Sequence, residues 1–159
     1  MFLLALFACD PTSNEACQKA AEEPQALTIG TGETTFTDLS DGDTVGLVYG
    51  AQGGIHVWGS LRVSGIVQGA SDSLADKNNP LVSYVLKDGD TEVAGFHDLP
   101  HHFTVKLDGT WEFLADRLIF FENDLSGYDG VPLTMHASLV DACGTELSAD
   151  TDVLLDLGS

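Results

Sequence analysis

The residues best equipped for chemistry crowd into one stretch, "GAQGGIHVWGSLRVSG", residues 50 to 65. Trp58 offers a stacking face, His56 a hydrogen bond, Arg62 a contact for an anionic or aromatic group, and Gln52 an amide at the rim. From Ile55 onward the side chains alternate. Ile55, Val57, Leu61 and Val63 fall on one side of a strand, and His56, Trp58, Ser60 and Arg62 on the other. The aliphatic side is the better core, which leaves the second row partly exposed. Arg62 is then expected to lie across Trp58, a cation–π contact worth about 0.5–1 kcal/mol at an exposed site. Gly53 and Gly54 allow a sharp bend before the strand. The row reads as a recognition patch for a small polar ligand or a protein partner. It equally fits an ordinary strand covered by a loop, or a strand that turns Trp58 into the core and leaves His56 as a satisfied buried histidine.

The other histidines suggest a rival. "HDLPHH" supplies His97, His101 and His102, and His136 lies further on. Together with His56 they could bind copper or zinc, for which imidazole is a suitable ligand. Pro100 argues against a helix that would gather His97 and His101, and no Cys or Glu completes a recognised metal motif. The acidic loops "DLSDGDT" and "ENDLSGYDG" lack the spacing of a calcium loop. Asp-Gly is in any case a preferred hairpin turn. No nucleophile elbow, zinc-protease motif or phosphate loop is present, so catalysis is not expected and no cofactor is implied.

The elements that must position these residues are short strands. From Leu27 on, strand-like runs are separated by Asp41-Gly42, Asp88-Gly89, Asp108-Gly109, Asp129-Gly130 and Gly144. That rhythm predicts an all-β sandwich. The clearest pair is "PLTMHASLVDACGTELSADTDVLLDL". Leu133, Met135, Ala137 and Leu139 alternate with polar residues, and Val153 and Leu155 continue the apolar face. Residues 69 to 80 and the acidic residues 121 to 130 are expected as loops, the second of them flexible.

With 159 residues and no internal repeat, one domain over 26–159 is expected. The formal net charge of −19, with six Lys and Arg, would repel nucleic acid and anionic lipid headgroups. Nucleic acid is therefore not an expected partner.

"MFLLALFAC" is too short to span a bilayer, which takes about 20 apolar residues. Leu6-Phe7-Ala8-Cys9 resembles the lipobox of bacterial lipoproteins. The resemblance implies cleavage after residue 8, lipidation of Cys9 and residence in the cell envelope outside the cytoplasm, with the membrane met through the lipid alone. A basic leading region is missing and the apolar run is short, departures from the usual signal. The polar residues 9–25 then read as a tether. An oxidising compartment favours a disulfide between the two remaining cysteines, Cys17 and Cys143, although two free thiols fit the sequence as well.

The closing hairpin resembles the last strands of immunoglobulin-like bacterial domains. The element from Gly50, G-x-Q-G-G-x-H-x-W, is similar to one in uncharacterised bacterial lipoproteins. That similarity implies a shared immunoglobulin-like antiparallel sandwich and no particular activity.

Overall fold

The computed structural model describes residues 11–73 and 75–158. Residues 1–8 and Cys9, read above as a signal and a lipidation site, lie outside them. Eleven strands form two packed sheets: β1 Ala26–Thr31, β2 Thr37–Asp38, β3 Asp43–Gly46, β4 Val48–Tyr49, β5 Ile55–Ser64, β6 Leu81–Asp88, β7 Thr91–Pro100, β8 Thr104–Val105, β9 Trp111–Ile119, β10 Leu133–Val140 and β11 Glu146–Asp156. One sheet runs β2-β1-β5-β9-β8 with β4 added to β5, and the other runs β3-β11-β10-β6-β7.

The chain changes sheet on entering and leaving β3, between β5 and β6, between β7 and β8, and between β9 and β10. Read in order, β1-β5-β9-β8 and β11-β10-β6 are the A-B-E-D and G-F-C orders of an immunoglobulin-type sandwich. The expected antiparallel sandwich carries one parallel pairing, at an edge. β3 runs parallel to β11, pairing Val45 with Leu155, because the chain leaves β1 in one sheet and adds β3 to the far edge of the other.

The core is built by the alternation read above. Leu133, Met135, Ala137 and Leu139 are buried on β10, with Val153 and Leu155 on β11. Ile55, Val57, Leu61 and Val63 of β5 face them from the other sheet. Tyr84 on β6 fills the centre, and its hydroxyl donates to the Gly30 carbonyl at 3.3 Å. Burial pushes that phenol's pKa far up, so it stays a neutral donor. The equivalent strand of antibody domains carries a core Trp.

Gly59 is where Tyr84 meets β5. A Cβ there would come within 2.6 Å of the Tyr84 ring and 3.2 Å of Leu118. Gly59→Ala therefore forces the ring away from Gly30, and overpacking of this kind costs about 1–3 kcal/mol. A thermal melt of the variant, read by near-UV circular dichroism, is expected to shift down by several degrees; an unchanged melting temperature would show that Tyr84 has room to move.

Three segments differ from the sequence reading. Residues 11–22 of the supposed tether form helix α1, Pro11–Glu22. Proline suits a first helical position, and the Ala, Glu, Gln and Lys that follow are good helix formers. Isolated helices of this length are marginal in water, so tertiary anchors decide. Here they are the buried Ala20 and a disulfide from Cys17 to Cys143, with a Cα separation of 5.7 Å.

In the acidic segment 121–130, read as a loop, Leu125 is a core residue and Ser126–Tyr128 is a 3₁₀ turn, while most of the other residues are exposed. The third is "HFTVKLDG", read as a full strand, which supplies only the two residues of β8 before the Lys106–Gly109 turn.

Candidate functional site

The outer face of β5 carries His56, Trp58, Ser60 and Arg62, as the alternation requires, but the row divides in two. Arg62 does not lie across Trp58. Its guanidinium stacks on Phe36 at 4.2 Å and donates through Nε and Nη2 to Glu112 Oε1 at 3.0 and 2.8 Å. Lys106 Nζ reaches the other Glu112 oxygen at 2.9 Å, and Asp38 stands 3.6 Å from Arg62. Glu112 is buried at 5% exposure. Burial alone would raise its pKa, but hydrogen bonds from Lys106 and Arg62, and their charges, hold it below the usual carboxylate value. Arg62 is thus committed to holding β5 against β9 and stands apart from Trp58.

The reason lies in register. Arg62 faces Glu112 across the β5–β9 ladder, and Trp58 faces Arg117. Between them β9 holds a bulge: Gly59 pairs with Asp116 and Leu61 with Phe113. Ala115 adopts φ +63°, and its amide donates to the buried Ser60 hydroxyl at 3.4 Å. Bulges of this kind re-aim side chains. This one brings Arg117 over Trp58, with the guanidinium carbon 5.7 Å from the ring centroid.

His56 stands edge-on to Trp58 at 4.7 Å between ring centroids. It is buried at 6% exposure, which corrects the expectation of a partly exposed ring. The flanking β4 and β9 explain the burial, since Val48 and Ile119 pair with it from either side. Its Nε2 is buried without a hydrogen-bond partner among the described residues. Burial first, and then the charge of Arg117, pull its pKa below the ordinary value, against a smaller upward pull from Glu33. The ring is therefore neutral at pH 7. Trp58 remains on the outer face, half-buried, and Arg117 is exposed. Gln52 and Gly53 are exposed in the β4–β5 turn, where Gly53 takes φ +85° and the Gly50 amide donates to the Gly54 carbonyl at 2.8 Å. They shape the hairpin that carries His56.

The remaining histidines do not converge. His97 pairs with Glu92 at 2.8 Å, His102 approaches Asn79 at 3.3 Å and His136 pairs with Asp150 at 2.7 Å. His101 is buried, with Nε2 2.6 Å from Asp116 and Nδ1 2.8 Å from the Leu99 carbonyl, its ring stacked on Phe96. Among the described residues no three His, Cys, Asp or Glu side chains group as a metal site would require. The acidic turns use their carboxylates locally: Asp43 accepts from the Ser40 amide, and Asp124 from Ser126.

Two contributors escaped the sequence reading. Arg117 sits in an unremarkable strand, and only the register across the bulge places it on Trp58. Asp141 accepts from the amides of Val67, Cys143 and Thr145 at 2.8, 2.9 and 2.8 Å, tying the end of β5 to the disulfide turn. Its place in "DACGTE", beside a turn, was the available signal.

The fold and the outer-face cluster define an immunoglobulin-type sandwich with a small aromatic–cationic patch. No protein-family model, curated protein or solved structure matches the chain.

Proposed function

We propose that this chain is an exported, lipid-anchored and non-catalytic binding module of the cell envelope, one of the bacterial lipoproteins that its lipobox and glycine-rich element resemble. Cys9 carries the lipid, and the sandwich displays a contact patch made of His56, Trp58 and Arg117. One observation supports the patch above all: the exposed Arg117 holds its guanidinium carbon 5.7 Å from the ring centroid of the half-buried Trp58. His56, whose Nε2 is closed off from solvent, backs Trp58 edge-on and fixes the orientation of its stacking face. Arg117 is an exposed cation on a chain of net charge −19 and forms no ion pair among the described residues. The ligand is therefore anionic and planar, a carboxylate on a ring or on a partner's side chain.

Benzoate is a suitable probe. Titrated into isotope-labelled protein, it is expected to shift the His56 ring and Trp58 indole signals saturably at millimolar concentration, the range for a fragment of about 4 kcal/mol. Arg117→Ser should abolish the response while leaving the fold's amide spectrum intact. Signals that do not move, or that move equally in Arg117→Ser, would rule the patch out.

A further inference from the structure

We propose that the end of the sandwich beside Cys143 is a membrane-facing surface that rests on the lipid bilayer, with Leu107 as its leading side chain. The inference builds on the anchor reading above and adds to it an orientation. Three independent placements converge on this end.

The first is the path of the chain. Cys9 to Pro11 spans at most about 7 Å, and Pro11 to Cys17 in α1 rises about 9 Å. Cys17 is bonded to Cys143, whose Cα is 5.7 Å away. The lipidated residue can therefore stand no further than about 22 Å from the β10–β11 turn. β5 alone, at ten residues, is about 33 Å long. A tether pinned this way cannot let the domain swing freely. It holds the Cys143 end towards the bilayer and the other end away.

The second is apolar exposure. Ladder pairing sets which residues share the Cys143 end. Val140 adjoins the disulfide turn and pairs with Leu81, which pairs with Pro100 next to Leu99. In the other sheet the Asp141–Val67 bond brings the end of β5 to the same place, where Val63 pairs with Trp111 and Trp111 with Val105. Leu81, Leu99, Val105, Leu107 and Val140 are five of the eight exposed large apolar side chains among the described residues. Leu107, fully exposed, tips the Lys106–Gly109 turn. A short apolar tip of this kind can enter the headgroup–acyl boundary without spanning the bilayer.

The third is charge. Lys19 on α1, Lys77 in the loop before Leu81, and Lys106 beside Leu107 are three of the four lysines in the chain. Lys106 is held by Glu112, but Lys19 and Lys77 form no ion pair among the described residues and soften the acidity of this end where it meets a lipid surface. Lys19, Ala20 and Trp111 also line a hollow of about 320 Å³ between α1 and this end of the sandwich.

The test uses the full lipidated chain in phosphatidylcholine vesicles whose acyl chains carry bromine. In a background carrying Trp58→Phe and Trp111→Phe, which removes both native indoles, Leu107→Trp places the sole fluorophore at the expected contact, and Phe121→Trp places it at the opposite end. Leu107→Trp fluorescence is expected to fall about twofold against unbrominated vesicles, since a side chain at that boundary lies within reach of the bromines; Phe121→Trp should not change. Equal responses, or none, overturn the orientation while leaving the anchor intact. If Cys9→Ser floats with vesicles as the parent does, or if neither floats, the anchor itself fails and the orientation falls with it. If the end docks instead on a second copy, sedimentation in detergent shows a dimer that Leu107→Ser dissolves, and the lipid assignment is overturned.

Discussion

Replacing Cys17 and Cys143 together by serine is expected to lower the unfolding free energy by about 2–4 kcal/mol while leaving the two sheets in place. The bond joins residues 126 apart. The chain-entropy view gives a loop of that size roughly 5 kcal/mol. That figure supposes a folded state unchanged by removal of the bond. Here it changes, because α1 is otherwise held chiefly by Ala20 and would fray once released. The folded chain thus regains some freedom too, which offsets part of the loss. Urea unfolding gives the magnitude, and amide exchange locates it: protection should vanish over residues 14–22 and persist on β10. Persisting protection on α1 would show that packing, and not the disulfide, holds the helix.

The second large effect is expected at Glu112. Glu112→Gln removes the shared counter-charge of Arg62 and Lys106. Removing one partner of a fully buried ion pair costs roughly 3–5 kcal/mol. Arg62 and Lys106 keep 33% and 45% of their side-chain surface in water and can rehydrate, so about 2–3 kcal/mol is expected instead.

The loss carries a pH signature. Glu112 is held below its ordinary pKa when folded, so as pH falls the unfolded chain takes up the proton first. The stabilisation is whole above the ordinary Glu value of about 4.3 and fades as pH drops through the lower folded value. The stability difference between parent and Glu112→Gln should accordingly be constant from pH 8 to 5 and shrink towards pH 2, as about one bound proton is equalised. Comparing the two proteins cancels the other carboxylates. A difference independent of pH would mean that Glu112 contributes through packing alone.

Most of the fold was legible because alternation is a local signal. On β10 and β5 every expected inward residue is buried, since one face of each strand must enter the core. The site was less legible because its partnerships are not local. Arg62 and Glu112 are fifty residues apart, and nothing near Arg62 announces that a buried carboxylate will claim it. The Arg117–Trp58 contact depends on an extra residue in β9, and "EFLADRLIFF" read on its own gives no register across a bulge. Helix α1 escaped for a different reason: its sequence is polar enough to pass for a tether, and a covalent bond to a distant turn supplies the anchoring that its apolar content does not.

The Cys17–Cys143 bond also sets a mechanical route. A pull on the chain ahead of Cys17 would otherwise run through α1 into β1 and peel it from β5, one pair of hydrogen bonds at a time. With the bond closed, the load bypasses residues 18–142 and enters at the β10–β11 turn. There it falls along two long strands with eight paired positions, in the middle of a sheet whose neighbours β6 and β3 brace them on either side. Tension is then borne by many hydrogen bonds loaded together, and the sandwich can be tugged from its N-terminal side without unzipping.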